Sequence, residues 1–582
     1  MTALKFCLAV AMFMSASSNA ASIGAEKAMV KRAACNGNTA NDRGSWCDFS
    51  IDTNWYDEVP DTGVTREYWL ELIETELAPD GFTRSVMTVN GTIPGPTITA
   101  DWGDELVIHV KNSLSINGTS IHWHGIRQNH TNQNDGVVSI TQCASAPGDT
   151  YTYRFRATQY GTTWYHSHFS LQAWDGIFGS MVINGPATAN YEVDAGPIII
   201  ADWFHETAFS LANQALTGAP PTANNGLING TNVFGDDGSA NQTGSRFALD
   251  FTSGTSYRLR LINVAIDSHW KFMIDNHTLT VIAIDLVPIE PFTTNIVDIG
   301  IAQRYDVIVT ADQGAVAKDF WLRFIPQSSC SANDMADNIR GIIHYDGSTG
   351  TPNTTQYNFT DECVDMDMSL FVPRVALDVP SDHFYQEIED VGLSFTTEGT
   401  FRWTINGSTM DVQWGDPTVL QILNNDTSFE TSQNVIRLDE AEEWAYIIIE
   451  TTLAVTHPIH VHGHDFYLLA QGTGSFSNDT SLKLTNPPRR DVAMLPASGH
   501  VVLAWKTDNP GAWLVHCHIG WHTVAGLAFQ FAERISDIPS VIDQNSLSQT
   551  CSTWSTFATQ NNIVVDDSAF SLLLLYYTSH SN

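Results

Sequence analysis

Three short stretches decide how this chain is read: Ile108-His-Val-Lys-Asn112, Leu259-Arg-Leu-Ile-Asn263 and Leu420-Gln-Ile-Leu-Asn424. Each is an alternating or apolar run of strand type closed by Asn at a turn. Together they predict three copies of one β-module. The first and third copies share more, because Asn90-Gly91 followed by Trp102-Gly103-Asp104 is matched by Asn406-Gly407 followed by Trp414-Gly415-Asp416. Elsewhere Val/Ile/Thr/Phe-rich runs alternate with Gly, Pro, Asn and Asp turns, and few stretches hold a helical period. The expected fold is all-β, three β-sandwiches in tandem over residues 33–186, 187–350 and 400–582, with an acidic, Pro-containing linker over 351–399.

The histidines repeat with the modules. Ile121-His-Trp-His-Gly125 corresponds to Ile459-His-Val-His-Gly463, and Trp164-Tyr-His-Ser-His168 to Trp513-Leu-Val-His-Cys-His518, while the middle copy has neither pair. Residues i and i+2 of a strand project to one face. His122 with His124, His166 with His168, His460 with His462, and His516 with His518 are therefore four pairs, each aimed one way. They converge if the first and third modules face each other. A lone His-x-His is more often a solvated or core pair, but four pairs at matching places in two repeats point to metal. Structural zinc closes with four ligands and catalytic zinc takes three, so eight imidazoles suit a cluster.

Cys517 projects to the face opposite His516 and His518 and must serve a second centre. A thiolate with two imidazoles and a weak or absent axial ligand is the blue-copper arrangement for electron transfer. His522 and His457 are the candidate imidazoles on that side. Leu527 stands where an axial ligand could, which predicts a relatively high reduction potential, and it reads equally well as a plain core residue of the strand Leu527 to Phe531. His109, His205, His269, His277, His344, His383 and His500 lack a matched partner and are read as non-ligands.

Length and charge narrow the remaining classes. The chain has 582 residues, 27 Lys+Arg against 64 Asp+Glu and a formal net charge of -37. That is too long for one core and repels phosphate backbones and anionic lipid heads, which excludes nucleic acid and membrane surfaces as partners. No apolar stretch approaches the roughly 20 residues that span a bilayer. Lys5, the apolar FCLAVAMFM and Ser18-Asn19-Ala20 read as a signal peptide over 1–20, and Lys31-Arg32 as a processing site that makes 21–32 a propeptide. The expected location is extracellular.

Secretion makes each Asn-x-Ser/Thr an N-glycan candidate: Asn90, Asn117, Asn129, Asn229, Asn241, Asn276, Asn353, Asn358, Asn406, Asn425 and Asn478. A heavily glycosylated acidic chain is compatible with a monomer. Of the eight cysteines, Cys7 leaves with the signal and Cys517 is committed to metal, so six pair into three disulfides. Spacing does not fix the connectivity. Cys35 with Cys47 and Cys330 with Cys363 are the local choices, leaving Cys143 with Cys551.

The motifs HWHG at 122, HSH at 166, HPIHVHGH at 457 and HCHIGWHTVAGL at 516 resemble those of the multicopper oxidases. DTGVTREYWLELIE, WGD, QYGTTWYHSH, RYDVIV, NPPRRD and TDNPGAWLVHCHIGWH, between Cys35 and Cys551, are similar to ascomycete fungal laccases. The resemblance implies cupredoxin-like sandwiches and four copper ions: type 1 on His457, Cys517 and His522, type 2 on His122 and His460, and a type 3 pair on His124, His166, His168, His462, His516 and His518. It implies one-electron oxidation of phenols and related aromatics, entering at His522, coupled to four-electron reduction of O2 to water.

Asp135, in Asp135-Gly136, matches the family's Asp-Gly that assists proton transfer beside type 2 copper, where the dipeptide alone reads equally well as a turn. Asp236 or Asp237 are candidates for orienting phenols, though an exposed turn is the plainer reading. Arg489-Arg490-Asp491 reads as a structural ion pair or turn. Ferroxidase and ascorbate oxidase are the alternatives. Against them stand Gly520, where some metal-oxidising relatives carry a carboxylate, and the lack of an axial Met. The C-terminus departs from the family, with Asp567-Ser568-Ala569-Phe570 in place of the processed Asp-Ser-Gly-Leu tail of many ascomycete laccases.

Overall fold

The computed structural model describes residues 37–563 except Ile116 and Glu398, and the backbone of Asp566–Asp567. The signal and propeptide segments, Cys35 and the tail from Ser568 onward lie outside the described residues.

Each copy is built on a parallel strand pair: Thr65–Leu77 with Glu105–Asn112, Val193–Trp203 with Ser256–Asn263, and Tyr385–Phe395 with Trp444–Thr451. The first two pairs close on the expected asparagines. Asn112 and Asn263 each accept the N–H two residues on, from Leu114 and Ala265, and donate Nδ2 to loop carbonyls. In the third copy the matching strand ends at Thr451, whose hydroxyl oxygen accepts the Leu453 N–H.

Leu420–Asn424 is therefore not the third copy of this strand. It lies in and just after the helix Thr418–Leu423. Pro417 presets the first turn, and Val419 and Ile422, one helical turn apart, bury against the third sandwich. The repeat is nonetheless threefold elsewhere. Asn90, Asn229 and Asn406 all adopt left-handed φ of 54°, 47° and 50° before a glycine. Their side-chain oxygens accept strand N–H groups from Glu71, Ile199 and Asp390.

The first sandwich packs the sheet containing Thr65–Leu77 against a second ordered Gly95–Asp101, Phe178–Asn184, Gly161–Ser167, Ile121–His124. The third packs a six-stranded sheet against one ordered Val435–Leu438, Ala528–Glu533, Gly511–Cys517, His457–Val461, Val492–Leu495. The middle sandwich joins them, and one apolar cluster runs through all three copies. Tyr385–Phe395 lies inside the stretch read as a linker. Its charged and exposed positions, Glu387 and Asp390 among them, hide a strand that extends the third sandwich upstream of residue 400.

Two of the expected disulfides form: Cys330–Cys363, the local choice, and Cys143–Cys551, the pair left over. The first fastens the helix Gln544–Asn561 to the first sandwich. No helix among the described residues is long and apolar enough to cross a membrane.

Candidate metal centres

One construction is used twice. Ile121–His124 runs antiparallel to Gly161–Ser167 with His122 opposite His166, and His457–Val461 runs antiparallel to Gly511–Cys517 with His460 opposite His516. His168 and His518 follow their strands and are held by backbone N–H bonds to Ser120 and Pro458. Gly125 and Gly463 end the two His-x-His runs at φ of 74° and 71°. A side chain at Gly125 would also collide with Asp491 and Arg304.

The two halves face each other about an approximate twofold axis. Ring centroids of His122 and His462 lie 4.0 Å apart, and those of His460 and His124 lie 3.9 Å apart. The His166–His518 and His516–His168 separations are 5.5 and 5.4 Å. Nitrogens of His122, His124 and His166, of His122, His460 and His462, and of His168, His462 and His516 all fall within 4.8 Å inside each group. All eight expected histidines thus surround one space.

Four of the rings are oriented from behind. His122 Nδ1 donates to the Asp135 carbonyl (2.8 Å), His462 Nδ1 to Asp135 Oδ2 (2.9 Å), His460 Nδ1 to the Asp491 carbonyl (2.8 Å) and His516 Nδ1 to the Cys517 carbonyl (3.0 Å). The opposite nitrogens, Nε2 of His122, His166, His460, His462 and His516, are buried and have no hydrogen-bond partner. Buried polar atoms left bare are costly, and here they share one cavity wall. Burial, with neighbouring imidazoles adding to it, holds His124, His460, His462 and His518 well below the ordinary imidazole pKa. They are therefore neutral, the state a metal requires.

On the other face of Gly511–Cys517, Cys517 Sγ lies 3.5 Å from His522 Nδ1, and His522 Nδ1 lies 3.1 Å from His457 Nδ1. Trp403 packs on both rings, at 4.7 and 4.4 Å. Cys517 is the one free cysteine among the described residues and is fully buried. Burial pushes its thiol pKa up. A bound cation reverses that balance by deprotonating a coordinating thiol outright. The Cys517 N–H donates to the Leu527 carbonyl, which places Leu527 beside it.

A cavity of about 110 Å³ borders His166, His168, His516 and His518. Val412 lines it, and the backbone of Asp566–Asp567 pairs with Val412–Gln413.

The carboxylates differ from expectation. Asp237 is bound by Arg246 and Arg340 at 2.5 and 2.8 Å. Near the cysteine centre stand Asp202 and Asp267, both missed in the sequence. Asp202 accepts the N–H groups of Ile266, Asp267 and Ser268, and the Ile266 carbonyl accepts the Gly520 N–H. Asp491, read as part of a turn or ion pair, contacts two of the histidines. No spacing rule could reveal it, because His124 is 367 residues away.

Models of the multicopper oxidase family match residues 72–188, 194–348 and 402–537. The chain belongs to the multicopper oxidase family. Among multicopper oxidases, Laccase-2 of Botryotinia fuckeliana is 51% identical over 545 residues, covering 91% of this chain and 93% of its own. Laccase-1 of the same organism is 46% identical, covering 93% and 94%. The crystal structure of the laccase from Botrytis aclada superposes with a TM-score of 0.87 at 50% identity, over 92% of this chain and 99% of that one. Fet3p, described as a multicopper oxidase that functions in iron import, superposes with a TM-score of 0.76 at 26% identity, over 84% of this chain and 95% of its own.

Proposed function

We infer that the chain is a secreted laccase that oxidises phenols and related aromatics one electron at a time and reduces O2 to water. It would hold four copper ions: one on His457, Cys517 and His522, one on His122 and His460, and two among His124, His166, His168, His462, His516 and His518. The observation that carries this reading is the strand end His516-Cys517-His518, whose consecutive side chains serve opposite walls. Bound there, copper supplies reversible one-electron chemistry at the cysteine centre and multi-electron chemistry toward O2 at the histidine cluster.

The protein's own part is positional. Cys517 is covalently continuous with His516 and His518, and the His516 Nδ1 bond to the Cys517 carbonyl gives a second link between the two walls. Burial of Cys517 and the Trp403 contacts keep water from the cysteine side. Asp135 is fully buried, and its Oδ1 lies 3.2 Å from His122 Nδ1 without a hydrogen bond, an atom placed to hold or pass a proton beside the cluster. The relatives at about half identity favour laccase over the ferroxidase and ascorbate oxidase alternatives.

Metal analysis, the visible spectrum and O2-coupled turnover of the purified holoprotein test this together. Four coppers per chain, a blue absorption band and phenol oxidation well above that of ferrous iron or ascorbate are expected. A colourless protein holding a single zinc overturns the reading. N-glycans and a monomeric state complete the proposal, checked by glycosidase mobility shift and light scattering.

A further inference from the structure

Asp135 and Asp491 hold matching places in the two halves of the cluster. Each gives its carbonyl to the first histidine of its own half, His122 or His460, and its carboxylate to the second histidine of the other half, His462 or His124. Two differences break the match. His462 offers Nδ1 to Asp135, whereas His124 offers Nε2 to Asp491 at 3.2 Å. His124 Nδ1 is then the bare nitrogen, while His122, His166, His460, His462 and His516 keep Nε2 bare.

The second difference is a cation. Arg304 of the middle sandwich binds Asp491 with two parallel bonds of 2.5 Å each. Its Nε reaches the Thr162 carbonyl and its Nη1 the Ala302 carbonyl, at 3.3 and 3.1 Å, so the guanidinium is fixed from three sides. Among the described residues, no Lys or Arg pairs with Asp135. Two-pronged Arg–carboxylate contacts fix geometry as well as charge, and the partner behind a metal-ligating histidine sets which ring nitrogen faces the metal.

We propose that Arg304 and Asp491 form a clamp that holds the proton of His124 on Nε2 and turns Nδ1 toward the cluster. The clamp is a positioning device, and it rests on the copper reading above. It gives the middle sandwich, which carries none of the histidine pairs, a role in the site. It also explains Gly125: a side chain there would occupy the space where the guanidinium and carboxylate meet. His124, Arg304 and Asp491 come from the first, middle and third sandwiches, so the cluster geometry depends on all three being docked.

The test compares wild type with Arg304→Met and with Asp491→Leu, of similar size but without an acceptor, by ¹⁵N-histidine NMR of the apoprotein and by copper titration. In wild type, the His124 ring, assigned through His124→Gln, should carry its proton on Nε2. In both variants it should sample both tautomers, and cluster copper affinity should fall about 10–100-fold, while the blue band per chain persists because the Cys517 wall is untouched. If Arg304→Met does not fold, Asp491→Leu carries the same test. An unchanged His124 tautomer with wild-type copper affinity in the variants overturns the clamp alone. A wild-type apoprotein that takes up no copper overturns the copper reading instead.

Discussion

On the His516 side of the strand Gly511–Cys517 lie eight imidazoles, two buried carboxylates and a cavity of about 110 Å³. On the Cys517 side lie two imidazoles, the Trp403 ring and Leu527, all closely packed. The strand period of two separates these surroundings by a single residue. The histidine wall carries buried carboxylates and borders open space, while the cysteine wall is buried and closely packed, as the proposed electron-passing site would need. The two walls should therefore fail separately when broken.

The largest effect is expected from Cys517→Ser, which leaves a hydroxyl where the proposed centre needs a thiolate. Blue absorption and phenol turnover should fall to background, while the thermal transition and the copper held by the histidine wall persist. Survival of the blue band would remove Cys517 from its assigned place. Asp135→Asn attacks the other wall. The amide keeps a bond to His462 but cannot carry a proton as the carboxylate can, so O2 reduction should slow about 10–100-fold. Anaerobic reduction of the enzyme by phenol should be unaffected. Equal slowing of both half-reactions would deny Asp135 a role specific to the cluster.

These walls differ in how far the sequence reveals them. The expected histidines lie together on the two sides of the strand, because residues two apart on a strand obey local geometry and the motif recurs in two copies. Asp491 and Arg304 gave no such signal: each belongs to a different copy from His124, and only docking of the three sandwiches brings them together. The third repeat strand was missed for the reverse reason. Leu420-Gln-Ile-Leu ends in Asn as the first two do, yet its apolar spacing fits a helix, and the true strand end, Thr451, performs the loop-pinning with a hydroxyl. The middle copy's Asn229-Gly230 carries the repeat without histidines, so the module was legible and its docking was not.

A subtler probe of the cysteine wall is Leu527→Met. The blue-copper potential is tuned by the axial ligand, and a thioether stabilises the oxidised ion where Leu gives nothing. The potential should drop, each 59 mV costing about tenfold in the equilibrium for one-electron uptake, and phenol oxidation should slow accordingly. Copper content and O2 reoxidation of the reduced enzyme should hold. A potential unmoved by the substitution would place Leu527 away from the ion.

The smallest effect concerns a carboxylate beside the same wall. Burial, with the Asp202 charge next to it, raises Asp267 from the ordinary carboxylate value to about 7. Between roughly pH 4 and 7 the folded chain then holds a proton that the unfolded chain has lost. Stability must decline as pH rises through this window, by about 1.4 kcal/mol per pH unit at most. Asp267→Asn removes the titration, so the variant should match the parent near pH 4 and exceed it by a few kcal/mol near pH 8. Thermal melts of both proteins across that range read the difference directly. Parallel curves would mean that Asp267 is ionised in the folded chain and that a neighbouring charge already compensates it.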